Sequence, residues 1–237
     1  MIKLAISGCL GRMGQRIMAL GAADHDFHIS CLLESPNHPQ ADQTINGIKI
    51  TTAPDALRGS DILIEFTTPE ATMTHLAACR QHRVKMVIGT TGLSPEQRAT
   101  ITSAARTIPI VFSSNMSIGV NIVFKLAEML AQAAPSNYEV RMVEAHHIHK
   151  KDAPSGTAKT IAEIIENSSN HKVTDIQAIR EGEIVGDHKI IFESGEDVIT
   201  IDHHAKSRDI FVKGALVAAK FLAAKKTGLF NMQDVLG

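Results

Sequence analysis

"IKLAISGCLGRMGQRIMALGAA", residues 2–23, passes without a break from an apolar strand, through glycines at 8, 11 and 14, into a helical pattern. Glycine lets the backbone turn sharply there and lets a pyrophosphate approach the amide N–H groups at the helix's positive end. The spacing is G-x-x-G-x-x-G, with Leu10 where the common dinucleotide pattern has its second glycine. Taken alone, the motif fits an ordinary glycine-rich β–α turn equally well.

The next strand supplies context. "FHISCLL" (27–33) runs into Glu34, twenty residues beyond Gly14. A carboxylate at that place can accept hydrogen bonds from both adenosine ribose hydroxyls. Ser35 follows where an arginine would neutralise a 2′-phosphate, which favours NADH over NADPH, although Arg12 could supply part of a phosphate site. Further short runs rich in Ile, Val and Leu follow at 61–66, 84–89 and 108–113, each flanked by turn residues. Such runs suit buried parallel strands. Helical stretches lie between them, with Pro69 and Pro95 in first turns and Thr68 and Ser94 as N-caps. Repeated β–α units predict an open, Rossmann-type parallel sheet with helices on both faces. "GTTG" (89–92) and "SSNMS" (113–117) follow two of these strands on the rim where ligands of such sheets lie, placed for the nicotinamide half.

After Asn115 the pattern changes. A long amphipathic helix is expected over 117–134, a strand over 138–147, a helix over 155–167, three strand-like runs, and an Ala-rich helix over 213–226. A mixed sheet after a parallel one predicts an α/β protein of two parts. Residues 1–113 form the Rossmann-type domain, and a smaller α+β domain starts at 114. The closing helix could pack on either.

Composition bounds the partners. Lys and Arg number 24 against 25 Asp and Glu, and the chain has one Tyr and no Trp. No global field favours nucleic acid or membrane, and stacking platforms for bases are nearly absent. Cys9, Cys31 and Cys79 lie far apart, so neither a disulfide framework nor a zinc knuckle is expected, which fits a reducing cytoplasm. The first strand is too short for a signal peptide, and no apolar run reaches spanning length.

Local charge therefore matters more. "EAHHIHKKDAPSGTAK" (144–159) sets three histidines and three lysines around a helix start. If the segment stays extended, His147 and His149 face one side and His146 the other, which suits a metal poorly. The alternative is an anion site. Pro154 and Ser155 open a helix, Gly156 and Thr157 present N–H groups, and Lys150 or Lys151 adds charge. A histidine near neutral pKa can give the proton that completes hydride reduction of a C=N bond. A plain N-cap remains the bland reading of "PSGT".

Together "GCLGRMG", "IGTTGL", "SSNMSIGVN", "EAHHIHKKDAPSGTA", "IREGEIVGDHKIIF" and "HHAKSRDIFVKGA" closely resemble the 4-hydroxy-tetrahydrodipicolinate reductase (dihydrodipicolinate reductase) family. The likeness runs from residue 2 to the end. It implies NADH- or NADPH-dependent reduction forming tetrahydrodipicolinate on the diaminopimelate and lysine pathway. It also implies a homotetramer built through the domain at 114–212, and a C-terminal segment, 213–237, that returns to the first domain. By this resemblance His146 is the proton donor and Lys150 the second catalytic group, while His147, Gly156 and Thr157 hold the substrate's carboxylates. The dinucleotide would meet Gly8, Cys9, Leu10, Gly11, Arg12, Met13, Glu34, Gly89, Thr90, Thr91, Ser113, Ser114, Asn115 and Met116. Where some members carry arginine beside the cofactor this chain has Ser35 and Thr68, which weakens the case for NADPH. A different imine or amino-acid dehydrogenase and a non-catalytic NADH-binding protein are the rival readings.

Overall fold

The apolar runs of the first half fold as strands joined by helices, in a computed structural model that describes all residues from Met1 to Gly237. They are β1 (Ile2–Ser7), α1 (Arg12–Ala23), β2 (Phe27–Leu33), β3 (Thr44–Ile45), β4 (Ile48–Thr51), β5 (Ile62–Glu65), α2 (Pro69–His82), β6 (Lys85–Ile88), α3 (Pro95–Ala104) and β7 (Pro109–Phe112). Then follow α4 (Ile118–Ala133), β8 (Glu139–His146), α5 (Gly156–Ser168), β9 (Val173–Arg180), β10 (Asp187–Glu193), β11 (Val198–His204), α6 (Asp209–Ala223), β12 (Gly228–Phe230) and α7 (Met232–Leu236). The chain divides into two units: Met1–Met116 with Phe211–Gly237, and Ser117–Ile210. No helix is long and apolar enough to cross a membrane.

The first unit holds an eight-stranded sheet in the order β12-β7-β6-β5-β1-β2-β4-β3, parallel except for the β3–β4 pair. Strand order reverses at β1, whose neighbours are β2 and β5. The loops leaving β1 and β5 therefore diverge and open a crevice at the strands' carboxyl ends. Local chemistry sets the helix starts. Thr68 accepts from the Ala71 N–H ahead of Pro69, and Ser94 forms a capping box with Gln97. Each satisfies donors that a helix's first turn leaves unpaired. Leu63, Ile88, Leu76 and Ile101 belong to the core between sheet and helices.

Two features escape the sequence reading. β3 and β4 form a hairpin about Asn46 and Gly47, both at positive φ (50° and 79°), and β12 adds a strand beside β7. An Asn-Gly pair suits that turn because both residues tolerate the left-handed region. None of the three strands lies in a continuous apolar run like those of β5, β6 and β7.

The second unit is a four-stranded mixed sheet ordered β11-β10-β8-β9, with β8 and β9 parallel and the other pairs antiparallel. Alternation along β8 buries Val140, Met142, Glu144 and His146, while Glu139 and Arg141 are exposed. Ala158, Ile161 and Ile165 of α5 and Val120, Phe124 and Ala127 of α4 join Val140, Met142, Ile190 and Phe192 in one core.

The tightest constraint lies where α1 meets the loop after β1. A Cβ added at Gly14 would stand 2.1 Å from the Gly8 carbonyl oxygen and 2.6 Å from the Cys9 Cα. Those atoms are backbone and cannot rotate away. Gly14→Ala is expected to cost about 3 kcal/mol, measurable by urea unfolding; an unchanged midpoint would show that the loop accommodates a side chain.

Candidate active site

In the first unit, Gly11 caps α1 without any side-chain hydrogen bond to the helix's first turn. The turn tightens through the Gly11 N–H to Gly8 C=O bond at 2.9 Å. Glu34 lies against this loop. Its two carboxylate oxygens accept from the N–H groups of Leu10 (2.9 Å) and Ser35 (2.7 Å). The acid is thus oriented by backbone, and each oxygen keeps acceptor capacity. A helix N-terminus with no side chain closing it, beside an oriented carboxylate, fits the phosphate and ribose halves of a dinucleotide. Arg12 and Gly11 are exposed, Leu10 and Met13 half-buried, and Cys9 buried. Burial and the Glu34 carboxylate push the Cys9 thiol up to about 11, so the neutral thiol dominates at neutral pH.

Gly89, Thr90 and Thr91 follow β6. A Cβ at Gly89 would fall 2.2 Å from the Phe66 ring, so glycine is what lets this ring seat there. Thr90 is buried and bonded to the Thr67 N–H (3.3 Å) and the Thr72 hydroxyl (2.9 Å). Beneath them the fully buried Glu65 accepts from His75 Nδ1 at 2.6 Å and from the Thr67 hydroxyl. Of the predicted trio, Thr91 is exposed and Thr90 is tied into the scaffold. Ser113 and Asn115 hold each other in a local turn, Ser113 Oγ donating to the Asn115 C=O at 2.8 Å. Ser114 is exposed and Met116 buried.

In the second unit the histidine segment separates. β8 ends at His146, and the chain turns, the Lys150 N–H donating to the His147 C=O at 3.1 Å. The extended run considered from sequence therefore stops before His149. His146 is buried, His147 half-buried, and His149 exposed opposite Glu183 at 3.4 Å. The lysines separate likewise. Lys150 is half-buried with its ammonium 2.9 Å from Asp152, while Lys151 is exposed. α5 starts at Gly156, with Ser155 Oγ accepting from the Ala158 N–H at 3.2 Å. Asp152 sits by both Lys150 and the Gly156 N–H, and these contacts outweigh burial and hold its carboxyl below the usual range. A protein carboxylate thus already occupies part of the cationic cradle. Thr157 is half-buried in the same first turn.

His146 has neighbours that sequence reasoning missed. Strand register places Arg180 of β9 beside His146 and His188 of β10 beside Glu144. Glu144, with no exposed surface, accepts from His146 Nδ1, from Arg180 Nη2 at 2.8 Å and from the Ser155 N–H at 3.3 Å. The rings of His146 and His188 meet edge-on with centroids 5.2 Å apart. One signal was available: Glu144 falls on the apolar side of the β8 alternation, where an unpaired carboxylate would be costly. Arg180 and His188 carried no comparable local signal. Glu144, His146 and His188 bring donor atoms within 4.8 Å of one another. Their present contacts are with one another and with protein: Glu144 Oε2 holds His146 Nδ1 and its Oε1 holds Arg180.

The two family models for dihydrodipicolinate reductase match this chain, the N-terminal model over residues 2–116 and the C-terminal model over 119–236. Proteins called 4-hydroxy-tetrahydrodipicolinate reductase in Nitrosomonas eutropha and Nitrosomonas europaea are 45% and 43% identical, each alignment spanning 100% of this chain and 98% of the relative. Among solved structures, dipicolinate-bound dihydrodipicolinate reductase from Paenisporosarcina sp. TG-14 shares the fold with a TM-score of 0.83 at 24% identity, covering 99% of each chain.

Burial sets the pH behaviour of the second unit. It pushes His188 down to about 4, with neighbouring His146 acting in the same direction. His146, His147 and His203 are also lowered, burial being the largest cause in each. A histidine with a folded pKa below its unfolded value near 6.5 binds fewer protons folded than unfolded across that interval. Stability should therefore fall as pH drops from about 6.5 to 4, by up to about 3 kcal/mol from His188 alone. Urea unfolding at pH 7 and 4.5 should show this loss, and His188→Gln should show distinctly less of it. Identical pH slopes for both proteins would contradict the assignment.

Proposed function

Because this chain belongs to the dihydrodipicolinate reductase family, whose members are 4-hydroxy-tetrahydrodipicolinate reductases, we propose that residues 114–212 bind the cyclic dicarboxylate and protonate it during its reduction. The reaction lies in diaminopimelate and lysine biosynthesis. A pyridine nucleotide bound by residues 1–113 and 213–237 supplies the hydride. The carrying observation is that His146, buried at the end of β8, lies within electrostatic reach of Lys150 and shares Glu144 with the residue that caps α5.

Reduction of a C=N bond next to carboxylates needs charge to hold the dianion and one proton for the product. Lys150 and the N–H groups of Gly156 and Thr157 meet the first need, with His147 beside them. The substrate's carboxylate competes with Asp152 for the Lys150 ammonium, so binding exchanges one ion pair for another. His146 meets the second need. Its lowered pKa makes the imidazolium a readier donor, since burial removes the water that would stabilise the charged ring. Dipicolinate, the ligand of the Paenisporosarcina protein, is likewise a ring with two carboxylates.

Glu34 favours NADH. A 2′-phosphate carries close to two negative charges and would stand against this carboxylate with Ser35 beside it. Gly8 to Met13 receive the pyrophosphate at the start of α1, and Gly89 to Thr91 with Ser113 to Met116 border the nicotinamide half. The family likeness also carries the homotetramer. Exposed Val198 and Ile199 on β11 give the second unit apolar surface for such an assembly.

The substrate is unstable, so assays couple the chain to a synthase that forms it and follow NADH absorbance. His146→Gln is expected to lower kcat by about 10²- to 10⁴-fold with NADH affinity unchanged; undiminished turnover would remove His146 from the mechanism. Lys150→Ala should both lower kcat and raise KM, and an effect limited to melting temperature would favour a merely structural lysine. In paired assays kcat/KM should be higher with NADH than with NADPH, and a large NADPH advantage would overturn the argument from Glu34 and Ser35.

A further inference from the structure

An ionised carboxylate gives up its hydration when buried and persists only where other groups replace that water. Glu144 is such a group, and none of the steps above uses it. It is held by contacts from three separate segments: His146 at the end of its own strand, Arg180 at the end of β9, and the Ser155 N–H at the start of α5. Burial pushes its carboxyl up, but the bonds from Arg180 and His146 outweigh that and leave it below the usual carboxylate range. It is therefore ionised at neutral pH and can only accept. His146 must then donate through Nδ1–H, which leaves Nε2 as the nitrogen that gains and loses the proton. Gly186 lies beside that nitrogen, where any Cβ would come within 3.0 Å of Nε2.

We propose that Glu144 is the positioning residue of the reduction: it fixes the tautomer and orientation of His146 so that Nε2 delivers the proton, and it registers that ring to the start of α5 through the Ser155 N–H. Arg180 supplies the compensating charge and, by donating to the Asp152 carbonyl at 2.5 Å, ties the turn before α5 to the same carboxylate. This assignment rests on His146 being the proton donor.

Four titratable or charged groups face His146: Glu144 from its own strand, Arg180 from β9, His188 from β10 and Lys150 from the turn after β8. Only Glu144 favours the imidazolium. Burial, Arg180 and Lys150 oppose it, as would any charge on His188. Replacing Glu144 by Gln keeps the shape and removes the one favourable charge. The pH at which activity falls on the alkaline side should therefore move downward.

Glu144→Gln is expected to lower kcat by about a hundredfold, to shift that alkaline limb to lower pH, and to leave NADH affinity unchanged. In a His146→Gln background the same change should cost no more than about threefold, because its partner is gone. If His146→Gln alone has no effect, the donor assignment fails. If His146→Gln is impaired while Glu144→Gln retains wild-type kcat and the same limb, only the role of Glu144 fails. Loss of stability with an unmoved limb would likewise overturn it. Should Glu144→Gln not fold, ¹⁵N-histidine spectra of the unmodified protein decide: the resonance missing in His146→Gln must report Nδ1–H, and the Nε2–H tautomer would sink the proposal.

Discussion

A single buried carboxylate organises the second unit. Glu144 has no exposed surface, and a charge in that position is tolerable only with partners on every side. β9 contributes Arg180, α5 contributes its opening N–H, and β8 itself contributes His146. The pairing register makes this possible, because His188 stands opposite Glu144 and Arg180 opposite His146. A slip of one residue would turn Glu144 to the other face of the sheet and leave Arg180 without its acid.

Two helix starts lie beside an acidic side chain, with different closures. α1 begins at a glycine, so no N-cap side chain takes up the donors of its first turn. α5 begins at Ser155, whose hydroxyl serves Ala158 while its own N–H is spent on Glu144. In both, a nearby acid is already oriented by backbone: Glu34 by Leu10 and Ser35, Glu144 by Ser155. The first unit repeats the theme in Glu65, buried and bonded to His75 and Thr67 beneath the loop that carries Thr90.

Much of the fold was legible because its signals are local. β1, β2, α2 and the N-caps Thr68 and Ser94 follow from periods and cap chemistry contained within a few residues. β12 and the β3–β4 hairpin were not legible, since none of these strands lies in a continuous apolar run of the kind that marks β5, β6 and β7. "HHIHKK" was legible as basic and proton-bearing, but not which member lies inside. The strand stops at His146, so His149 and Lys151 are exposed while His146 is buried and Lys150 half-buried.

The sequence by itself determined a glycine-turn nucleotide unit, a second mixed sheet, and a histidine–lysine segment leading into a helix, because each is written in neighbouring residues. Only the tertiary structure decided the electrostatic identity of that segment. Arg180 and His188 lie more than thirty positions from Glu144, and water is excluded by elements far apart in the chain. A histidine's tautomer and pKa depend on what replaces that water, and strand pairing supplies the replacement.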